Sequence, residues 1–162
     1  MEALLTWTWH ETRNDVRVAV DRDSHASACV VVAPRLPLLA DLSVEDNIAL
    51  PRQYHLGIAA KLARLQAREY AARLLAAPVA QQYPEALTPA ETFAALWLRA
   101  IAVPGRTVVF ESPLASFALD ETLLRESVTR CYGLFRHAIV HELRAAGNWP
   151  ASAATMHKEN TC

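Results

Sequence analysis

The run from Leu87 to Pro113, LTPAETFAALWLRAIAVPGRTVVFESP, places a capped helix directly before a strand too apolar to face water on either side. Thr88 is a helix cap, Pro89 occupies the tolerated first helical position, and Glu91 stands three residues after the cap, where its carboxylate reaches back. Phe93, Leu96, Trp97, Ala100 and Ile101 share one face of this helix until Pro104-Gly105 ends it. Thr107 to Phe110 is then a buried strand, followed by the polar triplet Glu111-Ser112-Pro113. A strand apolar on both faces belongs in a sheet covered by helices, so the fold class is α/β. In open sheets of that class ligands gather outside the carboxyl ends of the strands, which is where Glu111 falls.

The remaining chain reads as a series of short elements. LLTWTWH alternates weakly, and Val16, Val18 and Val20 share one side of a period-two segment, so two short strands are expected, with turns at Asn14-Asp15 and Asp21–Ser24. ACVVVA at 28–33 is a further buried strand ended by Pro34. Ser43 before Val44-Glu45-Asp46 caps a short helix that should stop near Pro51. From about Gln53 to Ala77, Leu62, Leu65, Tyr70, Leu74 and Leu75 alternate with charged residues, giving one long amphipathic helix, or two if Gly57 breaks it. Asp120 or Glu121 opens a helix to about Tyr132, and Phe135 to Val140 is a strand candidate that would aim His141 and Glu142 at the edge holding Glu111. Residues 144–162 have little periodicity.

A chain of 162 residues that is 52% hydrophobic has enough apolar material for one globular domain. We assign residues 1–150 to it, with a helical subdomain and its following helix at about 42–103, and 151–162 to a tail. Sixteen basic against seventeen acidic residues, without a basic block, argue against nucleic acid as a partner. Cys29, Cys131 and Cys162 are odd in number and widely spaced, which excludes a disulfide framework or zinc knuckle and fits a reducing cytoplasmic location. No stretch has the uninterrupted apolar length of a bilayer span, and the acidic start MEALLTWTWHE lacks the basic flank of a secretory signal. Direct membrane insertion is therefore not expected.

Several residues have chemistry to weigh. Glu111 at a strand end either holds a magnesium ion through one carboxylate oxygen or is a glutamate facing water or a helix cap. Ser112 has a hydroxyl but no evident base, and its FESPL context lacks the G-x-S-x-G turn. His141-Glu142 is followed by Ala145 where a zinc protease needs its second histidine. His137 and His141 would share a helical face as a metal pair, or stand beside an apolar strand as ordinary histidines; the strand and helix readings exclude each other. The four glycines, Gly57, Gly105, Gly133 and Gly147, are isolated, so the sequence contains no G-x-x-x-x-G-K-[ST] and no cradle of converging N–H groups for phosphate. No cofactor and no metal are expected.

From Leu36 to Pro113 the sequence resembles the middle and later parts of an ABC-transporter ATP-binding domain. LPLLADLSVEDNIALP is similar to the segment after that family's Q-loop, YPEALTPAE to the signature motif, and WLRAIAVPGRTVVFESP to the signature helix and the Walker B strand that usually ends in D-E-P. The resemblance covers about 110 of the 162 residues. Carried over position by position, it implies a degenerate nucleotide site. Pro34 stands where the Q-loop glutamine would be. Leu87, Thr88, Pro89, Ala90 and Glu91 stand for the signature, with Pro89 and Ala90 replacing its glycines, which removes an N–H and adds methyl bulk. Glu111 stands for the magnesium-binding aspartate, Ser112 for the catalytic glutamate, Ala118 for the aspartate ending the D-loop, and His141 for the switch histidine. Only about 35 residues precede Pro34, which the resemblance counts as too few for the family's full N-terminal β-subdomain together with its Walker A strand, loop and helix.

The resemblance thus implies a truncated ABC-ATPase-like domain with a helical subdomain and a small, partly parallel sheet. In function it implies a pseudoenzyme: a non-hydrolysing accessory subunit that docks to a membrane permease, a complete ATPase subunit or both, peripheral at the inner membrane through its partner, with a dimer compatible. Leu38, Leu39, Leu42, Val44, Ile48, Tyr54 and Leu62 are the contact candidates, shared with a reading of the same residues as core. The NIALPRQYH wording is similar to ATP-binding subunits paired with MlaE-like lipid permeases, which raises lipid transport. The alternatives are a soluble scaffold or regulatory protein, and a metal-dependent hydrolase using Glu111 and His141.

Overall fold

The computed structural model describes residues 5–25 and 28–144. The expected tail, Cys162 and the boundary at residue 150 lie outside the described residues. Four strands, β1 (Leu5–His10), β2 (Cys29–Val32), β3 (Thr107–Glu111) and β4 (His137–Leu143), form one sheet in the order β1-β4-β3-β2. Every neighbouring pair is parallel, so the sheet expected to be partly parallel is parallel throughout the described residues.

A parallel sheet must be covered on both faces. Helix α1 (Arg13–Ser24) covers one, where Val16 and Val20 pack on Val109 with Val31 and Ile139 beside them. The other face meets α4 (Pro89–Ile101) and α6 (Glu121–Arg130) through an aromatic centre of Phe93, Trp97, Phe110, Phe117 and Phe135. The alternation along β3 divides these layers: Val108 and Phe110 face α4, Val109 faces α1. Cys131 is buried in the larger core, and burial pushes its thiol up to about 11. It and the half-buried Cys29 are both free.

The strand expected over Val16–Val20 is instead helix α1. Thr12 and Asp15 form a capping box at its start, and the buried set Val16, Ala19, Val20 has helical spacing, whereas Val18 is 61% exposed. Asn14-Asp15 and Asp21–Ser24, expected as turns, lie inside this helix. Residues 5–24 thereby hold one strand and one helix, joined by only the two residues Glu11-Thr12.

Helix α2 (Val44–Leu56) starts at the Ser43 cap as expected but continues through Pro51. Proline removes one intrahelical bond there, and burial of Val44, Ile48, Ala49 and Arg52 outweighs that loss. Gly57, at φ 64, ends it in the left-handed conformation, so the amphipathic stretch splits, and α3 runs Ala60–Ala71. Two short 3-10 turns, Ala77–Gln81 and Pro84–Ala86, lead to α4, whose Thr88 cap, Pro89 and Glu91 behave as the sequence suggested. A five-residue helix α5 (Pro113–Phe117) was not anticipated. No helix among the described residues is long and apolar enough to cross a membrane.

Two buried polar side chains tie α2 to the segments packed around it. Asn47, fully buried, accepts from the Leu39 N–H at 2.8 Å and donates to the carbonyls of Leu39, Leu42 and Ser43 at 3.1 Å. Arg52 donates to the Ala102 carbonyl at 2.6 Å, the Tyr70 hydroxyl and Gln66 Oε1, joining α2, α3 and the end of α4. Replacing Asn47 by Ala leaves several backbone groups of the 39–43 loop without their partner, for a cost of about 3 kcal/mol. A urea unfolding series should show the midpoint falling accordingly in Asn47→Ala.

Candidate functional site

Parallel strands bring all their carboxyl ends to one edge, and that edge collects the polar residues that the buried faces cannot hold. His10 ends β1, Pro34 and Arg35 follow β2, Glu111 and Ser112 end β3, and His141 and Glu142 lie near the end of β4. Register sets Glu111 beside His141 on neighbouring strands. Between α1, residues 34–35 and α5 lies a cleft of about 380 Å³ whose lining includes Arg13, Arg17, Pro34, Arg35, Glu111 and Ser112.

The polar groups at this edge bind one another. Arg35 donates from Nε to Glu111 at 2.7 Å and from Nη2 to Asp21 at 3.0 Å, and the Glu111 hydrogen bond raises the guanidinium's pKa. His141 is 1% exposed; its Nε2 lies 3.0 Å from Asp23 Oδ2, and its Nδ1 lies 3.0 Å from His10 Nε2. Burial disfavours the Asp23 carboxylate, but hydrogen bonds from Arg22 and His141 outweigh it and hold its carboxyl below the usual range. An ionised carboxylate only accepts, so Asp23 fixes the proton of His141 on Nε2. Burial and the neighbouring His141 lower the pKa of His10, as does Arg22, against Asp15 and Asp23.

Glu142 points to the opposite face. It is 1% exposed, and burial pushes its carboxyl up even though the N–H groups of Leu114 and Leu143 donate to it at 2.7 and 2.9 Å. The Leu114 N–H anchors the start of α5 to β4. Ser112 sits between β3 and α5 at φ 45, ψ 54, a left-handed conformation that costs a non-glycine residue roughly 1–2 kcal/mol. Its N–H donates to the His141 carbonyl at 2.8 Å, but both ring nitrogens of His141 are engaged elsewhere. Among the described residues no hydrogen bond joins the Ser112 hydroxyl to a base. Ala118, at φ 52, closes α5 in the same conformation.

Not all sequence-predicted positions converge here. Pro34, Glu111, Ser112 and His141 do, whereas Leu87 to Glu91 begin α4, where Thr88, Pro89 and Ala90 are exposed and Glu91 is consumed by the Thr88 cap. His141 lies on a strand, so it and His137 are separated by about 13 Å of extended chain. They cannot clasp one ion, and His137 instead meets Thr6 Oγ1 at 2.8 Å. No group of three or more His, Cys, Asp or Glu among the described residues is placed to hold a metal, so the hydrolase reading lacks its third ligand. Among the contact candidates, Leu38, Val44 and Ile48 belong to the core, Leu42 is half-buried, and Leu39, Tyr54 and Leu62 are exposed. The residues that sequence reasoning missed are His10, Asp23 and Arg35. The capping box at Thr12 and Asp15 marks the helix bearing Asp23, but nothing local in the sequence pairs Arg35 with a glutamate 76 positions away.

No protein-family model matches this chain, and no curated protein matches it. Solved structures do. One is the dimeric post-hydrolysis state of the ATP-binding cassette MJ0796 bound to ADP and Pi, with a TM-score of 0.57 and 17% identity over 79% of this chain and 56% of that one. The fold is therefore that of an ABC ATPase domain, and the chain spans little more than half the length of that neighbour.

The lowered pKa of His10 carries a pH signature. In the window just below the ordinary imidazole value of about 6.5 the unfolded chain binds the proton that the folded chain refuses. This contribution to stability is present above the window and is lost as pH falls through it. The buried carboxyl of Glu142 acts with the opposite sign, its share being lost as pH rises through its raised value. A series of urea midpoints against pH should therefore show a shallower rise toward neutrality in His10→Asn than in the native chain.

Proposed function

We propose that this chain is a non-hydrolysing, protein-binding subunit built on the ABC ATPase fold, acting beside a membrane permease and a complete ATPase. The observation that carries the reading is the self-pairing of the carboxyl edge. Nucleotide hydrolysis needs a free carboxylate for magnesium, a base for water and a loop of N–H groups for phosphate. Arg35 occupies Glu111 with a fixed cation, Ser112 is no base, and Pro34 has no side-chain amide to present.

The strand-to-helix connection adds a second support. In the family that the sequence resembles, a phosphate loop joins a strand to a helix ahead of the Q-loop segment, and β1–α1 has that place in the chain order. Here the connection is Glu11-Thr12, without glycine. The helix start where a phosphate would sit is already satisfied: the Asp15 carboxylate accepts from the Thr12 N–H at 3.2 Å, and the Asp15 N–H donates to Thr12 Oγ1 at 3.1 Å. Arg13 and Arg17 give the cleft positive charge but not a converging cradle.

What the helical subdomain offers is apolar surface. Tyr54 is 85% exposed, and Leu56, Leu62 and Leu65 are each about half exposed on α2 and α3. A shallow depression of about 810 Å³ along 59–68 includes Leu62 and Leu65 among its lining. This surface replaces Leu38, Val44 and Ile48 as the contact region, because those three are spent on the core. Lipid transport is a subordinate part of the reading and rests on the NIALPRQYH wording alone.

Purification at native expression level under membrane-preserving conditions, with mass-spectrometric identification, should recover a permease or a complete ATPase subunit. The double variant Leu62→Glu/Leu65→Glu should keep its helical circular-dichroism spectrum and lose that partner. Repeated recovery of the native chain alone would contradict the proposal and favour an independent scaffold.

A further inference from the structure

Among the described residues strand β1 ends the sheet, hydrogen-bonded to β4 on one side only. Its sequence, LTWTWH, is alternating threonine and tryptophan, the aromatic and β-branched residues that pair best across strands. Sheet edges are normally guarded by short length, lysine, proline or a bulge. The other edge, β2, follows that rule, being four residues long and stopped by Pro34. Strand β1 has six residues and none of these guards.

Its two faces are also incomplete. Leu5, Trp7 and Trp9 on one face are only half-buried, Trp7 and Trp9 stack with ring centroids 5.8 Å apart, and Thr6 and Thr8 on the other are exposed. Arg125 lies over the Trp7 ring at 5.5 Å, so the aromatic row is already held in position. From Leu5 to Trp9 there is no charge, and this decides the occupant: a second copy of the same strand meets no like-charge repulsion.

We infer that two copies of this chain pair through β1, antiparallel about a two-fold axis, to make one continuous eight-stranded sheet. Matching of faces restricts the register to even offsets. The register centred on the uncharged segment sets Trp7 against its own counterpart, Leu5 against Trp9 of the second copy, and Thr6 against Thr8 of the second copy. Each half-buried aromatic then gains the neighbour that the single chain lacks. This interface is isologous, so it closes at two copies and leaves no edge of β1 for further growth. It lies away from the helical surface of α2 and α3 and does not depend on the proposed partners.

Analytical ultracentrifugation of the native chain should give a species of twice the 17.9 kDa chain mass. The variants Thr6→Lys/Thr8→Lys and Thr6→Glu/Thr8→Glu should each be folded monomers by circular dichroism, because the central register and the even registers on either side of it set like charges face to face. Mixing the two should restore the dimer as a one-to-one pair of opposite variants. A native chain that stays monomeric, a dimer untouched by either variant, or variants that fail to recombine on mixing would overturn the inference.

Discussion

A four-stranded parallel sheet persists only if both faces are shielded from water, and that constraint sets most of what this chain does. Helix α1 covers one face and α4 with α6 the other, so the charged residues that end β3 and β4 gather at the carboxyl edge. There they must find partners, because an unpaired charge at the rim of an apolar layer costs more than its burial returns. Arg35 with Glu111, and Asp23 with His141 and His10, are the solution this sequence adopts. The same edge in a nucleotide-binding protein would reserve those groups for a ligand. Here they form a closed set.

The closure is structural as well as electrostatic. Glu142 receives the first N–H groups of α5, which positions the turn at Ser112, and the Ser112 N–H returns to the His141 carbonyl. The turn that would present a catalytic group is thus fastened to β4. On the helical side, Asn47 and Arg52 hold the 39–43 loop and the end of α4 against α2, so the subdomain and the sheet share one core. What remains at the surface is the apolar skin of α2 and α3.

Much of the architecture was legible in local sequence. Thr88, Pro89 and Glu91 announced α4, and the branched runs announced β2 and β3, because caps and buried strands are written in consecutive residues. The misreading of Val16 to Val20 came from a period of two that also fits three valines on a helix; the box at Thr12 and Asp15 was the deciding signal. Pro51 misled because its local penalty is overridden by the burial of Ile48 and Arg52, a tertiary effect. Glu111 and His141 were legible as edge residues from their place after apolar runs. Their partners were not, since Arg35 and Asp23 meet them only after the crossover of α1 and the sheet order are set.

We propose that the carboxyl edge satisfies itself and takes no nucleotide. Amide resonances of Thr12, Asp15, Glu111, Ser112 and His141, followed by nuclear magnetic resonance as magnesium-ATP is added, test it at the atoms concerned. These signals should stay in place at concentrations that saturate an ordinary ATPase domain. Saturable shifts confined to those five amides would contradict it.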